Sequence, residues 1–273
     1  MINLVRAELF KIRSTSLWWI MGIILVPLYA ASVLVNWASA NVTPPSGDAT
    51  DTQTQQLQAS LNPINVATNL YTSGQFLGVL IVLLLSAIIV TSEFFYLTAT
   101  ATFLVTPRRE AVVVAKFVAA VIVGLIVWAV TTILNLIFVP LVLRQLDVGV
   151  QLGEPAVWRA IALNALAFVL WAVLGVGAGV LIKSQLAATL ILAILYTVGT
   201  SVVGLIFFLL TRYVADWFEN LQVLIPTSAS QLMISGTDLP GNPPRFVGAL
   251  VLIGYAIIGG VVGTVLTKRR DIS

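Results

Sequence analysis

The sequence contains no cysteine and no histidine. Without cysteine there are no disulfide bonds or thiolate metal sites, and without histidine there are no Ser-His triads or imidazole ligands. Charged residues are scarce, at 9% of the chain against roughly 25% in an ordinary soluble domain. The net charge of +3 is too small to indicate a nucleic-acid partner. The composition therefore disfavours the common catalytic, metal-binding and nucleic-acid-binding classes.

Hydrophobic residues make up 59% of the 273-residue chain, which indicates a membrane protein. A helix needs about 20 apolar residues to cross the hydrocarbon core, and β-barrel alternation is absent. We therefore predict an all-α integral membrane fold, with residues 1–273 forming a single transmembrane domain. The six predicted spans lie at about 17–38, 71–92, 112–143, 158–182, 186–210 and 246–267.

The basic residues divide unequally between the two sides of the predicted membrane. With both termini on one side, that side holds ten of the 14 Lys and Arg residues and the other side holds four. The positive-inside rule then places both termini in the cytoplasm of a multi-pass cell-membrane protein. The first span also resembles a secretory signal peptide with Ala38-Ser39-Ala40 as its cleavage site, but its apolar run is longer than such signals require.

Residues 1–16 precede the first span and show helical spacing of apolar residues. This pattern favours a helix in the cytoplasmic interface, with aliphatic side chains toward the acyl region and cations toward anionic headgroups. The alternative is a basic flank that only fixes topology. The aliphatic positions are Ile2, Val5, Leu9 and Ile12, and the basic positions are Arg6, Lys11 and Arg13.

Two polar segments lie on the predicted outer side. The first, 39–70, is either an irregular loop or contains a short helix near 53–61. The second, 211–245, carries Trp217, Leu221 and Leu224 on one helical face and is interrupted at Pro226. We expect two short amphipathic helices there, lying in the outer interface before span six. A re-entrant pair that closes a pathway is the alternative.

Small and polar residues within the spans predict close helix contacts. Glycines four residues apart allow helices to approach closely in lipid, either inside the bundle or between subunits. Two asparagines, Asn135 and Asn164, lie well inside the spans and either form interhelical hydrogen bonds or line a pathway. The glycine pairs are Gly175 with Gly179 and Gly259 with Gly263. Ionisable residues are nearly absent from the span centres, so no intramembrane charge relay is predicted.

The stretch 92–116, "SEFFYLTATATFLVTPRREAVVVAK", lies between spans two and three on the predicted cytoplasmic side. It contains one carboxylate near its start, several threonines, Pro107 and the basic residues Arg108 and Arg109. A surface helix continuous with two spans acts as a lever, because force on it tilts both. The alternative from the residues alone is an interfacial loop with basic anchors.

This stretch resembles the cytoplasmic segment of the type 2 ABC-transporter permease family. The family pattern is similar to Glu-x-x-x-Gly-Thr, a hydroxyl-rich helix, Pro-Arg-Arg and a later Lys, and here Glu93, Leu97-Thr98, Pro107-Arg108-Arg109 and Ala115-Lys116 correspond. Leu97 departs from the family glycine. The N-terminal "LVRAELFKIRSTSLWW" and C-terminal "LTKRRDIS" also resemble the family's two ends, so the likeness extends over the whole chain.

The resemblance implies a non-catalytic permease subunit of an ABC exporter. A coupling helix at 93–109 would dock on a separate ATPase, with Glu93 anchoring its start, Thr98 capping or orienting it, Pro107 ending it, and Arg108 and Arg109 binding lipid phosphates or acidic groups of that partner. Because the chain has no phosphate-loop motif, ATP and Mg would be held by the partner. Two ATPase subunits and a second or related permease are expected, along with membrane lipid.

The predicted function is therefore outward transport of an amphipathic or hydrophobic substrate such as a drug, a peptide or a lipid. The alternative is a membrane anchor or signal-transmitting subunit, which would keep the same helices and the same cytoplasmic contact without transport. An intramembrane enzyme is disfavoured, because the predicted spans contain no paired carboxylates, metal ligands or activated nucleophile.

Overall fold

A computed structural model describes residues 1–42, 52–98, 109–215, 217–238 and 241–269. Every regular element in these ranges is a helix, so the prediction of an all-α fold is confirmed. We number the α-helices α1 Ile2–Ser14, α2 Leu17–Ala40, α3 Thr52–Ser60, α4 Pro63–Tyr71, α5 Gln75–Phe95, α6 Arg109–Gln145, α7 Pro155–Ile182, α8 Gln185–Ile194, α9 Thr200–Tyr213, α10 Phe218–Leu221, α11 Pro226–Ile234 and α12 Arg245–Arg269. A π-helical turn at Leu195–Gly199 joins α8 to α9, and a 3-10 turn at Gln222–Leu224 follows α10.

Six segments of the described chain are long and apolar enough to cross a membrane, which agrees with a multi-pass membrane protein. They are Leu17–Ala40, Pro63–Phe95, Glu110–Gln145, Pro155–Ile182, Gln185–Tyr213 and Arg245–Val265. Their order matches the six predicted spans. The second begins earlier than the predicted 71–92, because the short helix α4 precedes α5 in the same segment.

Helices α5 and α7 form the centre of the bundle. Val82 on α5 and Phe168 on α7 are fully buried in the main apolar core. Gly175 and Gly179 lie where α7 meets α5. A Cβ at Gly175 would overlap the carbonyl of Leu83, and one at Gly179 would lie 2.7 Å from the carbonyl oxygen of Ala87. The absence of side chains at these two positions allows the two backbones to touch.

Helix α12 packs on α7 through a second glycine contact. A Cβ at Gly177 would lie 2.5 Å from the carbonyl oxygen of Gly259, and one at Gly263 would lie 3.3 Å from Gly177 Cα. Gly259 and Gly263 therefore contact α7 within the chain. Gly177, which the sequence analysis did not select, is the residue that both of them approach.

The second span is interrupted between α4 and α5. Gly74 has φ +84°, in the left-handed region that favours glycine, and a Cβ there would lie 3.1 Å from the ring of Tyr29. Asn135, on α6 and 1% exposed, donates through Nδ2 to the carbonyl oxygens of Tyr71 and Ser73 at 2.9 and 3.0 Å. Asn135 thus supplies donors to carbonyls at the interruption.

The polar segments that follow span one and precede span six contain short helices. Helix α3 forms at 52–60, close to the predicted 53–61. The later segment forms α10, the 3-10 turn and α11, with Pro226 as the first residue of α11. Helix α11 packs into the bundle, because Met233 is fully buried and Trp171 Nε1 donates to Ser230 Oγ at 2.7 Å. Trp217, by contrast, is 57% exposed.

Candidate functional site

Four charged side chains from three helices form a closed ring of ion pairs at one end of the bundle. Lys11 Nζ lies 2.8 Å from Glu8 Oε1 and 2.6 Å from Glu93 Oε1. Lys116 Nζ lies 2.9 Å from Glu8 Oε2 and 2.9 Å from Glu93 Oε1. Each carboxylate therefore contacts both ammonium groups, and the four formal charges sum to zero. We call these four residues the charge ring.

The positions of the ring residues follow from the helices that carry them. Glu8 and Lys11 are three residues apart on α1, so both project toward one side of that helix. Glu93 lies in the last turn of α5, and Lys116 lies in the second turn of α6. The ring consequently joins α1 to the end of span two and the start of span three.

Three of the four ring side chains are buried. Glu8, Glu93 and Lys116 are each 4% exposed, whereas the Lys11 side chain is 43% exposed at the edge. Lys116 Nζ also donates to the carbonyl oxygen of Ile89 at 3.3 Å. Charges removed from water must be paired and hydrogen-bonded, so loss of any one member leaves the remaining ring charges unbalanced.

The partners of Lys11 change its pKa. Burial alone would lower the pKa of Lys11, but hydrogen bonds and charge attraction from Glu8 and Glu93 raise that pKa above its usual 10.5. Lys11 lies on α1, outside the six spans. Its ammonium group bonds to protein carboxylates, and its predicted contact with lipid headgroups stays a prediction. Arg6 and Arg13, the other basic residues of α1, are exposed.

The end of α5 beside the ring has the geometry of a Schellman motif, which normally needs glycine. The amide of Thr98 donates to the carbonyl of Glu93 at 2.9 Å, and the amide of Leu97 donates to that of Phe94 at 3.4 Å. Leu97 lies at φ +57°, in the left-handed region, and is 87% exposed. The backbone of Thr98 thus closes the helix that carries Glu93.

The other predicted coupling residues are placed only in part. Pro107 and Arg108 lie outside the described residues, as does most of the predicted coupling helix at 93–109. Arg109 is the first residue of α6. Glu93 belongs to the ring, and Lys116, the lysine of the family-like pattern, is bonded to it.

Sequence reasoning missed Glu8. It is the only acidic residue before Asp48, and it lies three positions before Lys11 beside the aliphatic stripe of α1. In so apolar a chain, an isolated carboxylate next to an apolar stripe indicates a buried ion pair. Its partners on α5 and α6 could not be inferred, because they depend on how α1 docks.

The two ends of the bundle carry different charged groups. Lys183, between spans four and five, lies at the ring end, with Nζ 5.8 Å from the centre of the Phe94 ring. At the opposite end, Arg245 Nε lies 2.8 Å from Asp238 Oδ1, and Arg159 Nη2 donates to the carbonyl oxygen of Gly236 at 2.7 Å. This separation follows the alternating directions of the six spans.

Among the residues that the structure describes, no three acidic side chains lie close enough together to hold a metal ion. The chain matches no known protein-family model. No curated protein is significantly similar to it. The function of the candidate site is therefore inferred from its geometry.

Proposed function

We propose that this chain is the membrane subunit of an ATP-driven exporter, similar in organisation to the type 2 ABC-transporter permeases. A separate ATPase binds the segment between spans two and three, and the charge ring conveys the movement of that segment to the membrane helices. Two such chains, or one with a related permease, form the complete path with two ATPase subunits, which hold ATP and Mg.

The contact between Lys116 and Glu93 carries this proposal. Glu93 lies in the last turn of span two and Lys116 lies near the start of span three, so their 2.9 Å ion pair joins the two ends of the intervening segment. The segment can transmit force to the spans only if its two ends stay together. Because Glu8 and Lys11 complete the ring, α1 is joined to the same two ends of the segment.

The turn at Leu97 gives independent support. The family pattern has glycine at the position of Leu97, and this residue occupies the left-handed conformation that glycine favours. A left-handed turn at Leu97, just after the end of α5, suits a segment that returns toward span three.

The substrate class follows from the apolar character of the spans. An amphipathic or hydrophobic molecule can move along such surfaces, whereas an ion would need charged or polar groups along its path. The energy for transport comes from ATP hydrolysis on the partner.

The test is copurification from the source membrane. The detergent-solubilised chain is isolated, its soluble partners are identified by mass spectrometry, and ATPase activity is measured on the complex. We expect a partner that carries a phosphate-loop lysine. Changing Arg108 and Arg109 together to Glu should remove this partner, since both residues lie in the proposed docking segment.

The matched control changes Arg144 and Arg212 to Glu, which adds the same charge at the other end of the bundle. This control should retain the ATPase. Recovery of a partner without ATPase activity, such as a sensor protein, would contradict the exporter proposal and favour the role of a membrane anchor or signalling subunit. Equal loss of the ATPase in both double variants would remove the docking assignment.

A further inference from the structure

A cavity of about 850 Å³ lies at the end of the bundle opposite the charge ring. Its position is set by α5, which begins at the cavity with Gln75 and ends at the ring with Glu93. The walls come from the second half of α2, from α3, from the junction of α4 and α5, and from the segment 219–243. Its volume falls within the range of small-molecule sites, about 300–1,000 Å³.

Carboxamides dominate the polar wall of this cavity. Seven of the described lining side chains are Asn or Gln, and the only ionisable one among them is Glu219. Each carboxamide both donates and accepts hydrogen bonds, as hydroxyl groups do. A ligand rich in hydroxyl groups can therefore satisfy both functions of these amides, whereas an ammonium group provides donors alone.

Gln75 is the buried polar group of the wall. It is 5% exposed, and among the described residues its Nε2 has no hydrogen-bond acceptor. A buried donor without an acceptor costs about 1–3 kcal/mol, so an acceptor supplied by a ligand would recover stability. The same helix turn presents Phe76 and Leu77 to the cavity, which places an apolar surface beside the amide.

Neighbouring contacts hold part of the wall in place. Gln56 Nε2 donates to Glu219 Oε1 at 3.0 Å and so connects α3 with α10 across the cavity. Asn36 Nδ2 donates to the carbonyl oxygen of Asn69 at 3.0 Å and to Ser73 Oγ at 2.8 Å. These bonds orient the amides of Gln56 and Asn36 before a ligand binds, which reduces the entropy lost on binding.

The apolar wall comes from the membrane spans themselves. Ala31 and Val35 on α2 and Leu77 on α5 line the cavity, and Val35 is 63% exposed. The cavity therefore combines an amide-rich wall with a wall that continues onto the lipid-facing surface of span one. An amphiphile fits both walls, with its head among the amides and its chain along α2.

Charge selects the head group. The described lining residues include the Glu219 carboxylate and no Lys or Arg, so a phosphate or carboxylate head would meet repulsion without a compensating cation. We infer that this cavity binds an amphiphile with an uncharged, hydroxyl-rich head group, of the glycosyl-lipid class. As a transport substrate such a lipid rests on the proposed function, whereas its binding does not.

The test is lipid binding followed by native mass spectrometry of the chain purified in a zwitterionic detergent. Four probes share two acyl chains and differ in the head: monoglucosyl diacylglycerol, plain diacylglycerol, phosphatidylglycerol and a dialkyl trimethylammonium lipid. We expect the glucosyl lipid to bind at least tenfold more tightly than the other three. Equal binding of plain diacylglycerol or of phosphatidylglycerol would overturn the assignment, and preference for the cationic lipid would make Glu219 the recognition element in place of the amides.

Variants locate the binding. Gln231→Leu removes an exposed amide of the wall, and Gln75→Leu removes the buried one. Each should weaken glucosyl-lipid binding at least fivefold. Gln145→Leu is the control, because Gln145 is an exposed amide at the end of α6 and does not line this cavity. Unchanged binding in Gln231→Leu and Gln75→Leu would overturn the site.

Copurification of the ATPase with Gln231→Leu separates this inference from the proposed function. Retained ATPase with lost lipid binding supports the cavity as a separate site. Lipid binding by a chain that captures no ATPase would overturn the exporter and leave the lipid site intact.

Discussion

Lys116 Nζ lies 2.9 Å from Glu8 Oε2, although 108 positions separate the two residues in the chain. Both side chains are almost fully buried. A buried ion pair is retained only where its partners are held together, so the N-terminal helix is part of the bundle and follows the start of span three. If the segment before Lys116 moves as proposed, we expect α1 to move with it.

Lys116→Met should destabilise the folded chain strongly. It leaves the buried carboxylates of Glu8 and Glu93 with Lys11 alone, and breaking a buried pair costs about 3–5 kcal/mol. The measurement is thermal unfolding in detergent, with Arg13→Met as the control because Arg13 is exposed on α1. Adding Glu8→Gln to Lys116→Met should recover part of the loss by restoring neutrality. Additive losses in this double variant would contradict the ring.

The contribution of Lys11 should disappear only at high pH. Its pKa is raised in the folded chain, so its stabilising effect is fully present below the unfolded value of 10.5 and is lost as pH rises through the higher folded value. The melting temperatures of the wild type and Lys11→Met should therefore differ by a constant amount from pH 7 to 9. That difference should narrow above pH 10.5. If the difference in melting temperature narrowed between pH 7 and 9, Lys11 would not be stabilised by the two carboxylates.

Leu97→Gly should be tolerated or slightly stabilising. A left-handed conformation costs a residue with a Cβ about 1–2 kcal/mol, and glycine avoids this cost while losing some entropy on folding. Leu97→Val is the contrasting variant, because a β-branched residue is the least suited to φ +57°. We expect Leu97→Val to lower both the melting temperature and ATPase association. If Leu97→Val equalled Leu97→Gly, the turn after α5 would not depend on Leu97.

The spans could be predicted because each depends on a local property, a run of about 20 apolar residues. The charge ring could be predicted only in part. Glu93 and Lys116 belong to the family-like pattern, but the contact of Lys116 with Glu8 depends on the docking of α1, which no local pattern encodes. Gly177 shows the same limit, since its neighbour Gly259 lies on another helix and regular glycine spacing identified different pairs.

Asn135→Leu should be more harmful than Asn164→Leu. Asn135 donates to the carbonyls of Tyr71 and Ser73, and leaving buried carbonyls without donors costs about 1–3 kcal/mol. Asn164 is almost equally buried, and the Oδ1 of neither asparagine has a hydrogen-bond partner among the described residues, so the difference lies in the two bonds that Asn135 Nδ2 donates. Both substitutions replace Asn by Leu and so change the side-chain volume equally. A difference in melting temperature between them therefore reports the hydrogen bonds that Asn135 donates. Equal decreases in melting temperature would mean that the interruption between α4 and α5 does not depend on Asn135.

Gly177→Ala should disrupt the contact between α7 and α12. The added Cβ would lie 2.5 Å from the backbone carbonyl oxygen of Gly259, and a backbone atom cannot move aside as a flexible side chain can. Gly254→Ala is the control on α12, since a Cβ there meets nothing within 4 Å. Overpacking in a well-packed core costs about 1–3 kcal/mol, so the melting temperature should fall for Gly177→Ala alone. A disulfide engineered between α7 and α12 should form less readily in the Gly177→Ala background. Unchanged melting and crosslinking would show that the contact between α7 and α12 accommodates an added methyl group and does not depend on glycine at position 177.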